Sequence, residues 1–326
     1  MTKLTRRNLI AASAASAAAL TAGKANASEA PSLKGKSFLV TGASSGFGYA
    51  GALLYARLGA KVFATMRNLP RPEATELAAA AKAEKLDITI LPLDVTKDDQ
   101  VLKAVREAER LAGGALDVVI NNAGIGQSGP IEVQDMAAMQ LAFDTNVMGV
   151  QRVQRAVLPA MRARKSGLIV NISSQLGRVI VPSGGPYSAT KFALEALSEQ
   201  LAYELAPHGV EVCIIQPGGY PTKVWSNRNR YNLELKGRID AERATGYADL
   251  VGRMGAETGG GRNADVLDVP RAIAEIAALP AGRRPLRRAV HPGAKPQEAI
   301  NRVAAETQLN WLGNSPFGPW IKAVHD

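Results

Sequence analysis

Short apolar runs rich in β-branched residues alternate with longer segments of helical spacing from about residue 34 onwards. The apolar runs predict buried strands at residues 36–41, 61–65, 88–91, 116–120, 168–172 and 210–215, and an edge strand at 286–290. The segments between them predict helices at residues 46–58, 73–85, 98–111 and 269–279, and near 189–205. Because alternating strands and helices form right-handed βαβ units, the pattern predicts an α/β fold with a doubly wound parallel sheet and helices on both faces.

One main domain is expected at residues 34–293, because neither an internal repeat nor a flexible linker divides residues 34–220. Residues 220–265 are polar and irregular, which is typical of a binding loop or a disordered insertion. We interpret them as a loop that contacts a substrate. Residues 294–326 form a C-terminal extension whose aromatic side chains indicate packing rather than chemistry.

The N-terminal segment, residues 1–27, contains four basic residues and no acidic residue. An uncharged run of 16 residues follows the basic start, from Asn8 to Gly23, and small residues end the segment, as in a secretory signal. The run is too short to span a membrane, which needs about 20 apolar residues. Arg6 and Arg7 resemble the pair of a twin-arginine export signal. We therefore expect a periplasmic protein joined to its signal by a linker at residues 28–33, or a cytoplasmic one if the leader is not used.

The composition excludes several classes of protein and of binding site. With 46% hydrophobic and 21% charged residues among 326, the chain is globular, neither disordered nor fibrous. A single cysteine and three histidines argue against disulfides and against a Cys or His metal site. The net charge of +10 falls to +6 without the four basic residues of the leader, which suits an anionic small ligand. No aromatic-interleaved basic patch accompanies the charge, so we expect no nucleic-acid partner.

A glycine-rich turn lies between the first strand and the first helix, at residues 41–48. Gly42 permits the tight turn, and Gly46 and Gly48 allow the backbone and the helix to approach a pyrophosphate. The N–H groups at the start of the helix favour the same negative charge. This turn predicts a Rossmann-like dinucleotide site.

The spacing of the turn, T-G-x3-G-x-G, resembles that of the short-chain dehydrogenase/reductase family, in its short, single-domain branch. Further motifs follow in register across residues 34–290: Asp94-Val95, Asn122-Ala123-Gly124, Asn146, Ser173-Ser174, Tyr187 with Lys191, and Pro217-Gly218 with Thr222. The resemblance implies that a nicotinamide dinucleotide contacts the following residues: Gly42, Ser44, Ser45, Gly46, Phe47, Gly48, Arg67, Asp94, Val95, Asn122, Ala123, Gly124, Tyr187, Lys191, Pro217, Gly218 and Thr222.

The end of the second strand indicates which nicotinamide cofactor is preferred. An acidic residue there hydrogen-bonds the ribose 2′-hydroxyl and repels a 2′-phosphate. This chain has Met66 followed by Arg67, whose guanidinium can bind a phosphate with two hydrogen bonds. We therefore expect NADP(H) to be preferred, with NAD(H) also possible.

Tyr187 and Lys191 are four residues apart and so share one face of a helix. An unperturbed phenol has a pKa near 10, and a neighbouring ammonium is expected to lower it. Tyr187 would then serve as general acid towards a carbonyl or as general base towards an alcohol. Ser174, 13 residues before Tyr187, has the spacing of the family's serine, while Ser173 is the alternative. By the resemblance, Lys191 also reaches the nicotinamide ribose, and Asn146 holds a water of a proton relay.

These residues predict an NADP(H)-dependent oxidoreductase that interconverts a ketone or aldehyde and an alcohol. One alternative is a dinucleotide-binding redox sensor without catalysis, and another is an epimerase or dehydratase of the family's longer branch. The substrate itself cannot be read from residues 176–186 and 220–262. Relatives pair as dimers or tetramers through two long helices, here residues 137–164 and 187–206, so we expect a homo-oligomer.

Three other features are assigned to structure. His208 is expected at the surface of a helix-to-strand turn, and Cys213 inside an apolar strand. The arginines at 283–284 and 287–288 flank the predicted edge strand, and we interpret them as solvated charges that protect that edge.

Overall fold

A computed structural model describes residues 31–259 and 263–325. The predicted export signal, residues 1–27, lies outside the described residues. Within them, no helix is long and apolar enough to cross a membrane.

Seven parallel strands form one sheet in the order β3-β2-β1-β4-β5-β6-β7. The strands are β1 (Ser37–Val40), β2 (Lys61–Met66), β3 (Ile88–Pro92), β4 (Val118–Asn121), β5 (Gly167–Ile172), β6 (Val210–Pro217) and β7 (Arg287–Val290). The prediction of a doubly wound parallel sheet is confirmed, and β7 lies at its edge.

Helices cover both faces of the sheet. They are α1 (Gly46–Arg57), α2 (Pro72–Glu84), α3 (Asp98–Ala112), α4 (Met136–Phe143), α5 (Gly149–Arg164), α6 (Gly185–Leu205), α7 (Val224–Lys236), α8 (Ala241–Gly246), α9 (Ala248–Arg253), α10 (Asp268–Ala278), α11 (Gln297–Leu312) and α12 (Gly318–His325). A five-residue π-helical stretch, Asp144–Met148, joins α4 to α5.

The core has two layers because side chains alternate along each strand. Phe38 and Val40 of β1 face a cluster that includes residues of α1 and α10. Leu39, between them, faces the opposite cluster, which includes residues of α3, α5 and α6. Cys213 belongs to the first cluster and is fully buried, as expected, whereas His208 is exposed. The strands thus read as continuous apolar runs because both of their faces are covered.

Residues 220–259 contain three helices, α7, α8 and α9, which their polar composition did not predict. The few apolar residues of this region, among them Leu235, Val251 and Met254, form a small third cluster with Val133 and Ala138. This cluster packs the helices against the loop that follows β4. The polar side chains outside the cluster explain why the sequence pattern did not reveal helices here.

The interpretation of the β7 arginines as solvated charges is wrong for two of them. Arg287 is almost fully buried, and its guanidinium contacts Glu195 at 2.8 Å and Glu199 at 2.5 Å. Burial would raise the pKa of the Glu199 carboxyl, but hydrogen bonding to His325 and the charge of Arg287 bring it to about 2. Arg284 is also largely buried, against Glu211. Arg287 therefore ties the edge strand to α6, and Arg284 ties the segment before that strand to β6.

Replacing Arg287 with alanine should strongly destabilise the protein, because two carboxylates would remain buried without their cation. We expect the free energy of unfolding to fall by about 3–5 kcal/mol in urea denaturation at pH 7. Arg288→Ala, next along the strand and half-exposed, is the control and should change it by less than about 0.5 kcal/mol. Equal effects of the two variants would contradict this account of the edge strand.

Candidate active site

A deep cleft opens at the carboxyl ends of the parallel strands. The sheet order changes direction between β1 and β4, and open α/β sheets bind ligands at such a switch point. The cleft has a volume of about 310 Å³ and extends from the turn after β1 to the start of α6. It gathers motif residues that are widely separated in the chain.

The glycine-rich turn at one end of the cleft depends on the absence of side chains. Gly42 and Gly46 have φ of +70° and +55°, a left-handed conformation that favours glycine. A Cβ at Gly42 would lie 2.8 Å from the Ala123 Cα. A Cβ at Gly48 would lie 2.5 Å from the Gly42 carbonyl oxygen, so Gly48 shapes the turn from beneath instead of lining the cleft.

Side-chain hydrogen bonds hold this turn against the end of β4. The Asn122 amide donates to the carbonyl oxygens of Thr41 and Gly42, at 2.9 and 3.1 Å. The Thr41 hydroxyl accepts from the backbone N–H groups of Asn122 and Ala123, each at 3.0 Å. The phosphate-binding turn and the Asn122-Ala123-Gly124 segment are therefore one rigid unit.

Arg67 and Asp94 lie on the side of the cleft formed by β2 and β3. Arg67 follows the last residue of β2, is exposed, and donates to the Tyr231 hydroxyl at 3.1 Å. The Asp94 carboxylate accepts from the backbone and the hydroxyl of Thr96, at 2.9 and 2.8 Å, which fixes the turn after β3. Val95 follows and also lines the cleft.

Tyr187 and Ser174 meet at the other end of the cleft. Ser174 follows β5, and its Oγ accepts from the Leu176 N–H at 3.1 Å. Burial raises the pKa of the Tyr187 phenol, while hydrogen bonding to Ser174 and the charge of Arg228 oppose this. The expectation that the pKa of Tyr187 is lowered is therefore wrong here, because burial outweighs the opposing groups. Ser174, which hydrogen-bonds the Tyr187 phenol, is therefore the serine beside it, whereas the buried Ser173 hydroxyl has no hydrogen-bond partner among the described residues.

Lys191, one turn after Tyr187, is buried, with its ammonium 5.7 Å from the centre of the Tyr187 ring. The Nζ donates to the carbonyl oxygen of Ile172 at 2.7 Å. Burial lowers the pKa of this ammonium to about 8, although the charge of Glu195 opposes the shift. The cation is thus held under the cleft at the end of β5.

Asn146 lies in the π-helical stretch and does not itself line the cleft. Its side chain accepts from the Ile125 N–H at 2.8 Å and donates to the Ile125 carbonyl oxygen at 2.9 Å. A third contact, from Nδ2 to the Thr190 hydroxyl at 3.1 Å, reaches α6. Asn146 therefore connects the loop after β4 with the helix that carries Tyr187 and Lys191. π-Helical stretches are frequent at functional sites, but no residue pattern in the sequence predicted this one.

The cleft brings together every sequence-predicted site residue except Gly48 and Asn146, which support it from outside. Pro217 and Gly218 close it at the end of β6, and Thr222 lies against Gly46. Sequence analysis missed the contribution of α7. Five residues of this helix line the cleft: Val224, Trp225, Asn227, Arg228 and Tyr231.

Comparison with known proteins agrees with this geometry. The family model described as short chain dehydrogenase matches residues 36–232.

The chain belongs to the short-chain dehydrogenase family.

Relatives of this short-chain dehydrogenase include retinol dehydrogenase 8 of Homo sapiens, 40% identical over 191 residues, which are 58% of this chain and 60% of that protein. The chain spans roughly three fifths to two thirds of the length of the curated relatives it matches. A solved short-chain dehydrogenase/reductase from Burkholderia phymatum, in complex with NAD, has a TM-score of 0.67 and 25% identity, over 87% of this chain and 96% of that one. A metagenomic short-chain oxidoreductase in complex with NADP has a TM-score of 0.62 and 25% identity, over 80% and 99% of the two chains.

Replacing Lys191 with methionine should remove a buried charge from this short-chain dehydrogenase and stabilise it at neutral pH. A pKa lowered from 10.5 to about 8 corresponds to about 3 kcal/mol of unfavourable burial. Loss of the hydrogen bond to Ile172 offsets part of this, so we expect the free energy of unfolding to rise by about 1–2 kcal/mol at pH 7.

The size of this stabilisation should depend on pH. Between about pH 8 and 10.5 the unfolded wild-type chain binds more protons than the folded one, so wild-type stability rises with pH. The advantage of Lys191→Met in urea denaturation should therefore disappear by pH 10.5. Lys103→Met, an exposed lysine of α3, should show no such dependence. A stabilisation that is constant from pH 7 to 10.5 would contradict the buried charge.

Proposed function

We propose that the protein is an NADP(H)-dependent oxidoreductase that interconverts a ketone or aldehyde and an alcohol by hydride transfer. The observation that carries this proposal is one cleft with two chemically different ends. A phosphate-binding turn lies at one end, and Tyr187, Ser174 and Lys191 lie together at the other. The NAD and NADP complexes of the similar solved structures support the same class of cofactor.

The residues present fit a dinucleotide. A Cβ at Gly42 or Gly48 would collide with neighbouring backbone, so the turn is built of positions that only glycine fills. The backbone of residues 42–48 and the start of α1 would hold the pyrophosphate. Lys191 and the residues from Pro217 to Thr222 would hold the nicotinamide end. When bound, the nicotinamide supplies or accepts the hydride.

The protein side of the reaction is proton transfer and charge stabilisation. In the reducing direction the Tyr187 hydroxyl donates its proton to the carbonyl oxygen as the carbon receives the hydride. The Ser174 hydroxyl donates a hydrogen bond to the same oxygen, where negative charge develops. The raised pKa of Tyr187 keeps the phenol protonated at neutral pH, which suits reduction. Lys191, still mostly protonated at pH 7 with a pKa of about 8, stabilises the phenolate that forms.

Replacing Tyr187 with phenylalanine should remove the proton donor and leave the cleft intact. We expect kcat for NADPH-dependent reduction of a ketone to fall by about 1,000-fold. The Kd of NADPH, measured by fluorescence titration, should change by less than about threefold, because the hydroxyl is a small part of the binding surface. Tyr247→Phe, which removes a surface hydroxyl bonded to Glu132, is the matched control. Undiminished turnover in Tyr187→Phe would exclude this mechanism.

The preference for NADP(H) rests on Arg67. Its guanidinium lines the cleft at the end of β2, where the chain has Met66 and Arg67 instead of an acidic residue, and the Tyr231 hydroxyl accepts one of its hydrogen bonds. The remaining donors of the guanidinium suit the phosphate oxygens.

Replacing Arg67 with aspartate should reverse the preference. We expect the ratio of kcat/KM for NADPH to that for NADH to fall by at least about 100-fold, since an attractive charge is exchanged for a repulsive one. Arg57→Asp makes the same change of charge on the exposed end of α1 and should leave the ratio unchanged. An unaltered ratio in Arg67→Asp would assign the selectivity to another residue.

A further inference from the structure

Arg228 of α7 reaches into the catalytic end of the cleft. Its side chain is only 17% exposed. The stem packs against Gly126, where an added Cβ would lie 3.2 Å from the Arg228 Cδ, and the guanidinium lies 5.5 Å from the centre of the Trp225 ring. Its charge is close enough to Tyr187 to act on the pKa of the phenol. A desolvated cation therefore stands beside the candidate proton donor.

One edge of this guanidinium is anchored by Glu257. The Arg228 Nε lies 2.8 Å from Glu257 Oε2. Glu257 is itself held in place: its other carboxylate oxygen accepts from the Ser128 hydroxyl, and its backbone exchanges two hydrogen bonds with the Asn229 side chain, at 2.8 and 3.1 Å. This ion pair and the hydrogen bonds of Glu257 orient the arginine fork without a ligand, and the Arg228 Nε makes no hydrogen bond within the described residues.

The two terminal nitrogens of Arg228 make no hydrogen bond with residues 31–259 or 263–325, although the side chain lines the cleft. The other charged residue at this end is Lys191, and among the described lining residues the only carboxylate is Asp94, on the β3 side. A largely buried guanidinium with two free terminal nitrogens binds a carboxylate strongly and opposes a cation.

We propose that Arg228 binds a carboxylate of the substrate, so that the preferred substrates are oxo acids and the corresponding hydroxy acids. This rests on the proposed oxidoreductase function and narrows its substrate class. The carbonyl oxygen faces Tyr187 and Ser174, while the carboxylate takes the terminal nitrogens of Arg228. Glu257 acts as a positioning residue for the fork.

The test compares charged and neutral forms of the same ketones. Acetoacetate and levulinate, with their methyl esters, are reduced with NADPH by the wild type and by Arg228→Gln. We expect the wild type to prefer the acid over its ester by at least about 10-fold in kcat/KM. In Arg228→Gln the value should fall about 100-fold for the acid and less than about threefold for the ester. Arg228→Lys keeps the charge but loses the planar fork, so its kcat/KM for the acids should lie between those of the wild type and of Arg228→Gln.

Lys236→Gln removes a charge from the exposed end of the same helix and should leave all four rates unchanged. Calorimetric titration of acetoacetate into the protein loaded with NADP+, a combination that does not react, measures binding without turnover. Binding to the wild type and its loss in Arg228→Gln are expected.

Three results would overturn the proposal. An equal loss for acids and esters in Arg228→Gln would show that the arginine acts through Tyr187, and a rise in the KM of NADPH with every substrate would assign it to the cofactor. A wild type that reduces esters as well as acids would show that the carboxylate is not recognised. In these cases reduction of the neutral ketones would still support the proposed function, which fails only if no carbonyl compound is reduced.

Discussion

The burial of the Lys191 ammonium is the constraint on which the arrangement of the site depends. Burial of an ammonium is unfavourable unless hydrogen-bond acceptors compensate for the lost water. Here the Ile172 carbonyl oxygen at the end of β5 accepts its hydrogen bond. The helical spacing of four residues then fixes Tyr187 above it, and the chain after β5 brings Ser174 to the same point. Asn146 secures the opposite wall through Ile125 and Thr190. The geometry of the candidate site is therefore set by the carboxyl end of β5 and by helix α6.

Helix α7 adds a second level of organisation, because it contacts both ends of the cleft. Tyr231 meets Arg67 on the side of β2, and Arg228 stands beside Tyr187. Under the proposed function, selection of the cofactor and selection of the substrate would both involve side chains about one turn apart on this helix. That helix is packed by a small apolar cluster of its own, separate from the two layers that cover the sheet.

Sequence patterns predicted the sheet and the residues lining most of the cleft, because buried strands and a turn made of glycines leave strong local signals. The pairing of Tyr187 and Lys191 could also be predicted from the sequence, since helical spacing alone places them on one face. The helices of residues 224–253 could not be predicted, because their side chains are mostly polar and their stabilising contacts come from residues near 133–138. For a related reason Arg287 was interpreted as a solvated charge and Arg228 was not singled out. Their partners Glu257 and Glu195 are distant in the chain, so only the tertiary structure reveals that they are paired.

The π-helical stretch Asp144–Met148 makes the number of residues between α4 and α5 as important as their identity. Each residue of an α-helix advances the side chains by about 100°. Loss of one residue here would restore regular α-helical winding and rotate Asn146 away from Ile125, with every neighbouring side chain chemically unchanged. Insertions and deletions in this segment are therefore under a stricter constraint than substitutions. Alignments of related chains should keep the length of the segment constant even where its residue types vary.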